Sequence, residues 1–142
     1  MTELKFEGAG FFLINPAVDL LLALVDGAGL YDLPKGVRES RETAIETAKR
    51  ECFEECAILI EDNEIMSCGP FYDGRLVVFC AETLKNPAIF PNEKSKILEH
   101  SAYQWVSPTE FLKNCVPYLR PISRKIFSEL SKRAHPLMRD YI

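Results

Sequence analysis

The chain has 142 residues, 47% of them hydrophobic and 27% charged, with a formal net charge of −4. That length suits one domain with a sizeable core, and the acidic balance without any basic run argues against a general nucleic-acid binder or a membrane-surface protein. No apolar segment reaches the ~18 residues of a membrane-spanning helix.

The N-terminal run Met-Thr-Glu-Leu-Lys-Phe-Glu lacks the basic and apolar regions of a signal peptide, so a cytoplasmic protein is expected. Residues 6–14 read as a strand. Within it, Phe11 to Ile14 form a continuous apolar run, as in a strand buried on both faces. Asn15-Pro16 mark a turn, Leu20 to Val25 read as a second strand, and Asp26-Gly27 with Gly29 form the loop after it. The two strands are expected to pair as a hairpin. Tyr31 to Gly36 is a short extended piece. Pro34 biases Leu33 to extended geometry, and Gly36 lets the backbone approach a ligand closely.

Thr43 and Glu46 fit a capping box, which predicts a helix from Ala44 onward. Its apolar arc is Ala44, Ile45, Ala48, Cys52 and Cys56. Beside that arc, Glu51, Glu54 and Glu55 occupy a sector ~100° wide. The carboxylates therefore line the edge of the buried face, along a cleft. Three uncompensated carboxylates so close together repel one another and suit a divalent cation; the alternative is a solvated acidic helix face. Glu46, Arg50 and Glu54 form an i, i+4 row in which Arg50 can hold a neighbouring carboxylate.

After Leu59-Ile60 a turn falls at residues 61–63, and residues 64–71 read as an irregular strand. Asp73-Gly74 is a hairpin signal, and Arg75 to Ala81 a strand rich in Leu, Val and Phe. Residues 86–98 carry prolines and charges and read mostly as loop. Tyr103 to Val106 is another strand. Ser107 caps a helix with Pro108 at its first position. A last helix is expected from about residue 118 to 133, burying Ile122, Ile126, Phe127 and Leu130. The tail after His135-Pro136 is weakly determined. The order strands, helix, strands, helix predicts an α/β chain with a mixed sheet covered by helices on both faces, as one domain over residues 1–142. The five cysteines are odd in number and include no Cys-x2-Cys pair. Cys52 and Cys56 share a helix face, and all five read as buried reduced thiols rather than zinc ligands.

The stretch from Gly36 to Ile58 resembles the Nudix box, Gly-x5-Glu-x7-Arg-Glu-U-x-Glu-Glu-x-Gly-U, where U is a bulky aliphatic residue. Gly36, Glu42, Arg50, Glu51, Glu54, Glu55 and Ile58 fall in register. Cys52 stands at the first U position. Ala57 replaces the second Gly, which matters only if that position needs a positive φ. The Val37–Arg41 loop also departs from the usual family loop, which carries a second Gly and a Pro-Gly. The resemblance implies an α/β/α sandwich with the box helix against the sheet. It implies hydrolysis, dependent on Mg²⁺ or alternatively Mn²⁺, of a nucleoside diphosphate linked to another group. It further implies Glu51, Glu54 and Glu55 as metal ligands, joined by the Gly36 carbonyl, with one of the glutamates on the attacking water. Glu42 and Arg50 would support them and Lys35 would meet a phosphate. An extra catalytic carboxylate is expected from Glu99, with Glu93 competing.

The segment Glu99-His100-Ser101-Ala102-Tyr103-Gln104-Trp105 resembles the Glu-His-x-x-Tyr-x-Trp of the Nudix dinucleoside tetraphosphate hydrolases. That likeness implies His100 donating to a phosphate oxygen and Tyr103 stacking on adenine, while Trp105 reads as core. Phe71, Tyr72 and Arg75 are weaker pocket candidates. The expected substrate is a dinucleoside polyphosphate such as Ap4A, bound as a small molecule by a monomer or small homo-oligomer. ADP-ribose, other nucleoside diphosphate derivatives, capped RNA 5′ ends and diphosphoinositol phosphates remain alternatives, the last two disfavoured by the acidic balance. A catalytically silent Nudix-fold binding module would be favoured by loss of box carboxylates, and none is lost.

Overall fold

The computed structural model describes residues 5–89, 100 and 102–141. The expectations for Glu93 and Glu99, and for most of the loop that carries them, lie outside the described residues. The strands are β1 (Gly8–Asn15), β2 (Leu20–Val25), β3 (Tyr31–Asp32), β4 (Lys35–Val37), β5 (Phe71–Asp73), β6 (Leu76–Glu82) and β7 (Ala102–Val106). The α-helices are α1 (Ala44–Cys56), α2 (Pro108–Asn114) and α3 (Arg120–Lys132).

One mixed sheet runs in the order β3-β2-β1-β6-β5, with β4 also on β1 and β7 also on β2. The apolar run of β1 lies at its centre. It is parallel to β6 along its length, antiparallel to β2 at Ile14 and Asn15, and antiparallel to β4 at Gly8 to Gly10. The two glycines have a steric reason. A Cβ on Gly10 would run into the Pro34 carbonyl and the Lys35 side chain, and one on Gly8 would come within 2.9 Å of the Gly36 carbonyl oxygen. Both keep β4, and the start of the box, pressed against the sheet.

Alternate β1 residues feed two cores. On one face Phe11 and Leu13 join Leu22, Leu24, Ala48, Cys52 and Cys56 under α1. On the other Phe12 and Ile14 join Leu21, Phe111, Ile126 and Phe127 under α2 and α3. Phe12 meets Phe111 and Phe127 edge-on, each at 5.3 Å between ring centroids. Each such fully buried side chain contributes roughly 1.5–3 kcal/mol. This is the layered α/β architecture expected from the sequence.

Local signals explain most boundaries. Thr43 caps α1, accepting the Glu46 N–H, while the Glu46 side chain accepts the Thr43 N–H. Ser107 caps α2 with Pro108 behind it. The expected last helix is split: a single 3-10 turn, Pro117–Leu119, precedes α3, which starts where Pro121 fits the first helical turn. Residues 64–71 are no continuous strand. Ile65 bridges Ala81 and the Met66 N–H reaches the Cys80 carbonyl, but Pro70 has no N–H with which to extend the ladder. The tail is ordered by His135, which accepts the Leu137 N–H and sets a turn that buries Leu137 and Met138. The five cysteines are free thiols, four of them buried. No described helix is long and apolar enough to cross a membrane.

Candidate functional site

Arg50, from the middle of α1, ties the box together. Its Nε and Nη2 grip the two Glu42 oxygens at 2.8 and 3.0 Å, and Nη2 also donates to the Val37 carbonyl at 2.9 Å. Its Nη1 reaches Glu51 at 2.9 Å and Glu54 at 3.1 Å. Glu46, the other member of the expected row, turns back to the Thr43 amide. Glu42 also accepts the Glu39 N–H and the Thr47 hydroxyl. The Arg50 hydrogen bonds, reinforced by Glu39 and Thr47, hold the Glu42 carboxyl down at about 2. The loop whose path the sequence leaves open is thereby anchored: Arg38 donates its N–H to the Glu7 carbonyl and its Nε to the Glu42 carbonyl, each at 2.8 Å, and Arg41 takes a φ of 66°.

The three acids of the box differ sharply in environment. The Glu54 side chain is 54% exposed and that of Glu51 15%, whereas Glu55 is only 9% exposed. Glu51 lies directly against Gly36, where any Cβ would overlap its carboxyl group. The Glu55 carboxyl accepts the Lys35 backbone N–H at 3.3 and 3.4 Å. Burial, aided by the Asp32 and Glu51 charges and only partly offset by that amide and the Lys35 ammonium, pushes its pKa up to about 9.

A second hub is Asp32. Lys35 Nζ lies 3.3 Å from its Oδ1, and His100 Nε2 lies 3.2 Å from its Oδ2. A carboxylate only accepts, so the imidazole Nε2–H is the donor. Burial works against the charge on Asp32, but the His100 hydrogen bond and Lys35 outweigh it and lower its pKa. Burial likewise opposes the charge on Lys35; Asp32 and Tyr118 reverse the balance and raise its pKa. His100 is only 6% exposed and its Nε2 is committed to Asp32, so the expected donor to phosphate stands behind Lys35 rather than at the surface. Sequence reasoning did not single out Asp32. Its partner His100 is 68 positions away, and an acid ahead of Lys-Gly carries no signal by itself.

Tyr103 faces Leu24, which in turn faces Asp32, so the three form one row across β7, β2 and β3. Trp105 packs against the core beneath α1, as expected. A cleft of about 550 Å³ opens beside β4, lined among others by Glu7, Lys35, Gly36, Val37, Asp73 and Tyr118. Tyr103 does not line it, nor do Phe71, Tyr72 and Arg75; Arg75 instead pairs with Glu7 at 2.8 Å. Tyr118, which does line it, read from sequence only as the start of a helix.

Among the described residues no three carboxylate, imidazole or thiolate groups gather around one point. Glu51 and Glu54 turn to Arg50, and Glu55 to the Lys35 amide. The donors themselves are nonetheless hard oxygens, which suit Mg²⁺ or Mn²⁺ rather than softer metals. The backbone of Gly36 lies against Glu51, and a buried carboxyl held near 9 is one that an adjacent divalent cation would return to its charged form. The residues fit such an ion by chemistry.

Residues 5–130 match the family described as NUDIX domain. Among solved structures, the chain is similar to a C. elegans Ap4A hydrolase binary complex, with a TM-score of 0.65 and 17% identity over 89% of this chain and 98% of that one. It is similar to the MutT protein from Methanosarcina mazei Go1, with a TM-score of 0.64 and 20% identity over 91% and 98%. A third is the NUDIX domain of Shewanella oneidensis NrtR complexed with ADP ribose, with a TM-score of 0.61 and 15% identity over 94% and 90%. Comparison with curated proteins yields no match.

Proposed function

The chain belongs to the NUDIX family of pyrophosphohydrolases, which act on phosphoric anhydride bonds, and on that premise we propose that it hydrolyses a dinucleoside polyphosphate such as Ap4A. The observation that carries the reaction class is the packing of Gly36 against Glu51, with Glu55 buried against the Lys35 amide and Lys35 lining the cleft. Glu51, Glu54, Glu55 and the Gly36 carbonyl would hold Mg²⁺, or Mn²⁺ in its place. When bound, the ion would supply Lewis acidity toward the phosphoryl oxygens and a lowered pKa for the attacking water. Lys35, kept charged by Asp32, binds a substrate phosphate and orients the chain of anhydrides. Arg50, gripped by Glu42, fixes the rotamers of Glu51 and Glu54. His100 acts through Asp32, positioning Lys35, and Tyr103 is the aromatic that the Glu99–Trp105 segment nominates for a base.

The choice of a dinucleoside substrate rests on that segment and on the likeness in fold to the C. elegans Ap4A hydrolase. ADP-ribose is the second reading, favoured by the likeness to a domain complexed with it. Free thiols throughout suit a reducing, cytoplasmic compartment. The test is a panel of Ap4A, ADP-ribose, nucleoside triphosphates and capped RNA, each with Mg²⁺ and with products identified. Cleavage of Ap4A at the highest kcat/KM is expected. Cleavage of ADP-ribose with Ap4A untouched overturns the substrate assignment.

A further inference from the structure

Of the five cysteines, Cys68 alone is half-buried; the other four are closed off from solvent. Its place follows from the strand edge beside it. Ile65 bridges Ala81 and the Met66 N–H reaches the Cys80 carbonyl at 2.8 Å, and β5 joins the same edge of β6 again at Phe71, opposite Val78. Residues 67–70 span the gap between those two pairings, so close that a Cβ on Gly69 would lie 3.8 Å from the Cys80 nitrogen. Cys68 packs against the core under α2 and α3, and its thiol is hydrogen-bonded to that of Cys80, which has no exposed surface. Beside it, at the end of α3, stand Arg133 and its partner Glu129, 3.0 Å apart. The Cys80 hydrogen bond outweighs burial and, with the Arg133 charge acting against that of Glu129, lowers the Cys68 pKa to about 7. The same contact and burial raise the pKa of Cys80. An accessible thiol with thiolate character thus touches a shielded one. Cys52 and Cys56 also approach each other, at 3.8 Å between sulfurs, but neither has exposed surface, so an oxidant reaches neither.

We propose that Cys68 and Cys80 form a reversible oxidation site that reacts with hydroperoxides and closes to an intramolecular disulfide. In the first step the Cys68 thiolate attacks a peroxide oxygen. An S–O bond forms, the O–O bond breaks and hydroxide leaves, taking up a proton to become water; Cys68 is then a sulfenic acid. In the second step the Cys80 sulfur attacks the Cys68 sulfur. An S–S bond forms, the S–O bond breaks, and the departing hydroxyl leaves as water with the Cys80 proton. The two thiols lose two electrons, and hydrogen peroxide takes them to become two waters. A dithiol reductant reverses the change by thiol–disulfide exchange. The pair lies in the core opposite the one beneath α1, so the proposal does not depend on the hydrolase reading.

The test is peptide mapping of the full, reduced chain after limited hydrogen peroxide, with the remaining thiols alkylated in denaturant. One disulfide, Cys68 to Cys80, should form within a single chain, leaving three of the five thiols free, and dithiothreitol should restore all five. Cys68→Ser should form no disulfide. In Cys80→Ala, the Cys68 sulfenic acid should persist and be captured by dimedone. Should that core variant not fold, dimedone capture at Cys68 in wild-type protein, early in the reaction, serves in its place. The proposal is overturned if peroxide at a level that oxidises free glutathione leaves five thiols, if the disulfide joins other cysteines or two chains, or if dimedone marks a cysteine other than Cys68.

Discussion

At the scale of single residues, Arg50 and Glu42 show how a cluster of like charges is made tolerable. Arg50 meets Glu42, Glu51 and Glu54 at 3.1 Å or less, and Glu42 answers with both oxygens. The folded pKa of Glu42 lies at about 2, below its ordinary 4.5, so its contribution to stability is present above 4.5 and lost as pH falls through about 2. Glu42→Gln should therefore be less stable than wild type at pH 7, with a flatter decline between pH 4.5 and 2. Denaturation midpoints across that window check it; superimposable acid limbs would contradict the assignment. Glu54 is the complementary case. It is exposed and bonded only through Arg50 among the contacts described, so Glu54→Gln should keep the wild-type melting temperature while turnover falls on the order of a hundredfold. Wild-type turnover in that variant would remove Glu54 from the ligand set.

At the scale of elements, α1 carries the site because both of its ends are defined. The Thr43–Glu46 box was readable in the sequence, since its spacing is a local matter. The other end was readable only as a question. Ala57 occupies φ 60°, ψ 24°, and its N–H closes on the Phe53 carbonyl, so the position does require left-handed backbone. Alanine is strained there where glycine is not, and glycine gives back part of the gain through its looser unfolded chain. Ala57→Gly should raise stability by about 0.5–1 kcal/mol, measured by denaturant titration with an unchanged m-value. A loss of stability would show that neighbouring packing, not backbone strain, governs the turn. The splitting of the last helix and the reduction of the expected 64–71 strand to a bridge at Ile65, with β5 starting only at Phe71, have the same kind of origin. Pro121 and Pro70 decide where a hydrogen-bond ladder begins or stops, and hydrophobic content alone does not reveal it.

For the whole molecule, the telling group is Glu55, which folding buries between α1 and β4. Its folded pKa of about 9 lies above its ordinary 4.5, so the folded state binds the extra proton. The resulting stabilisation is complete below about 4.5 and is lost as pH rises toward 9. In metal-free protein, stability should decline over that range, and Glu55→Gln should decline less. Mg²⁺ should raise the melting temperature most at the alkaline end, where the carboxylate is charged, by the usual linkage of ligand binding to folding. Identical slopes for wild type and Glu55→Gln would refute the burial argument, and a Mg²⁺ effect independent of pH would remove Glu55 from the ion's surroundings.

What the sequence determined by itself was everything encoded in short spacing: the capping box, the register of acids on α1, the apolar run of β1, the family and its chemistry. What only the tertiary structure decided was which of those acids is buried, and which distant side chains meet them. Gly8 and Gly10 became intelligible once β4 was seen against them. Asp32 became a hub once His100 arrived from 68 positions away. Tyr118 became part of the cleft because the 3-10 turn before α3 returns it to Lys35. The physical reason is that helix faces and caps depend on neighbours a few residues apart, whereas desolvation and charge pairing depend on whatever the closed fold places nearby, without regard to separation along the chain.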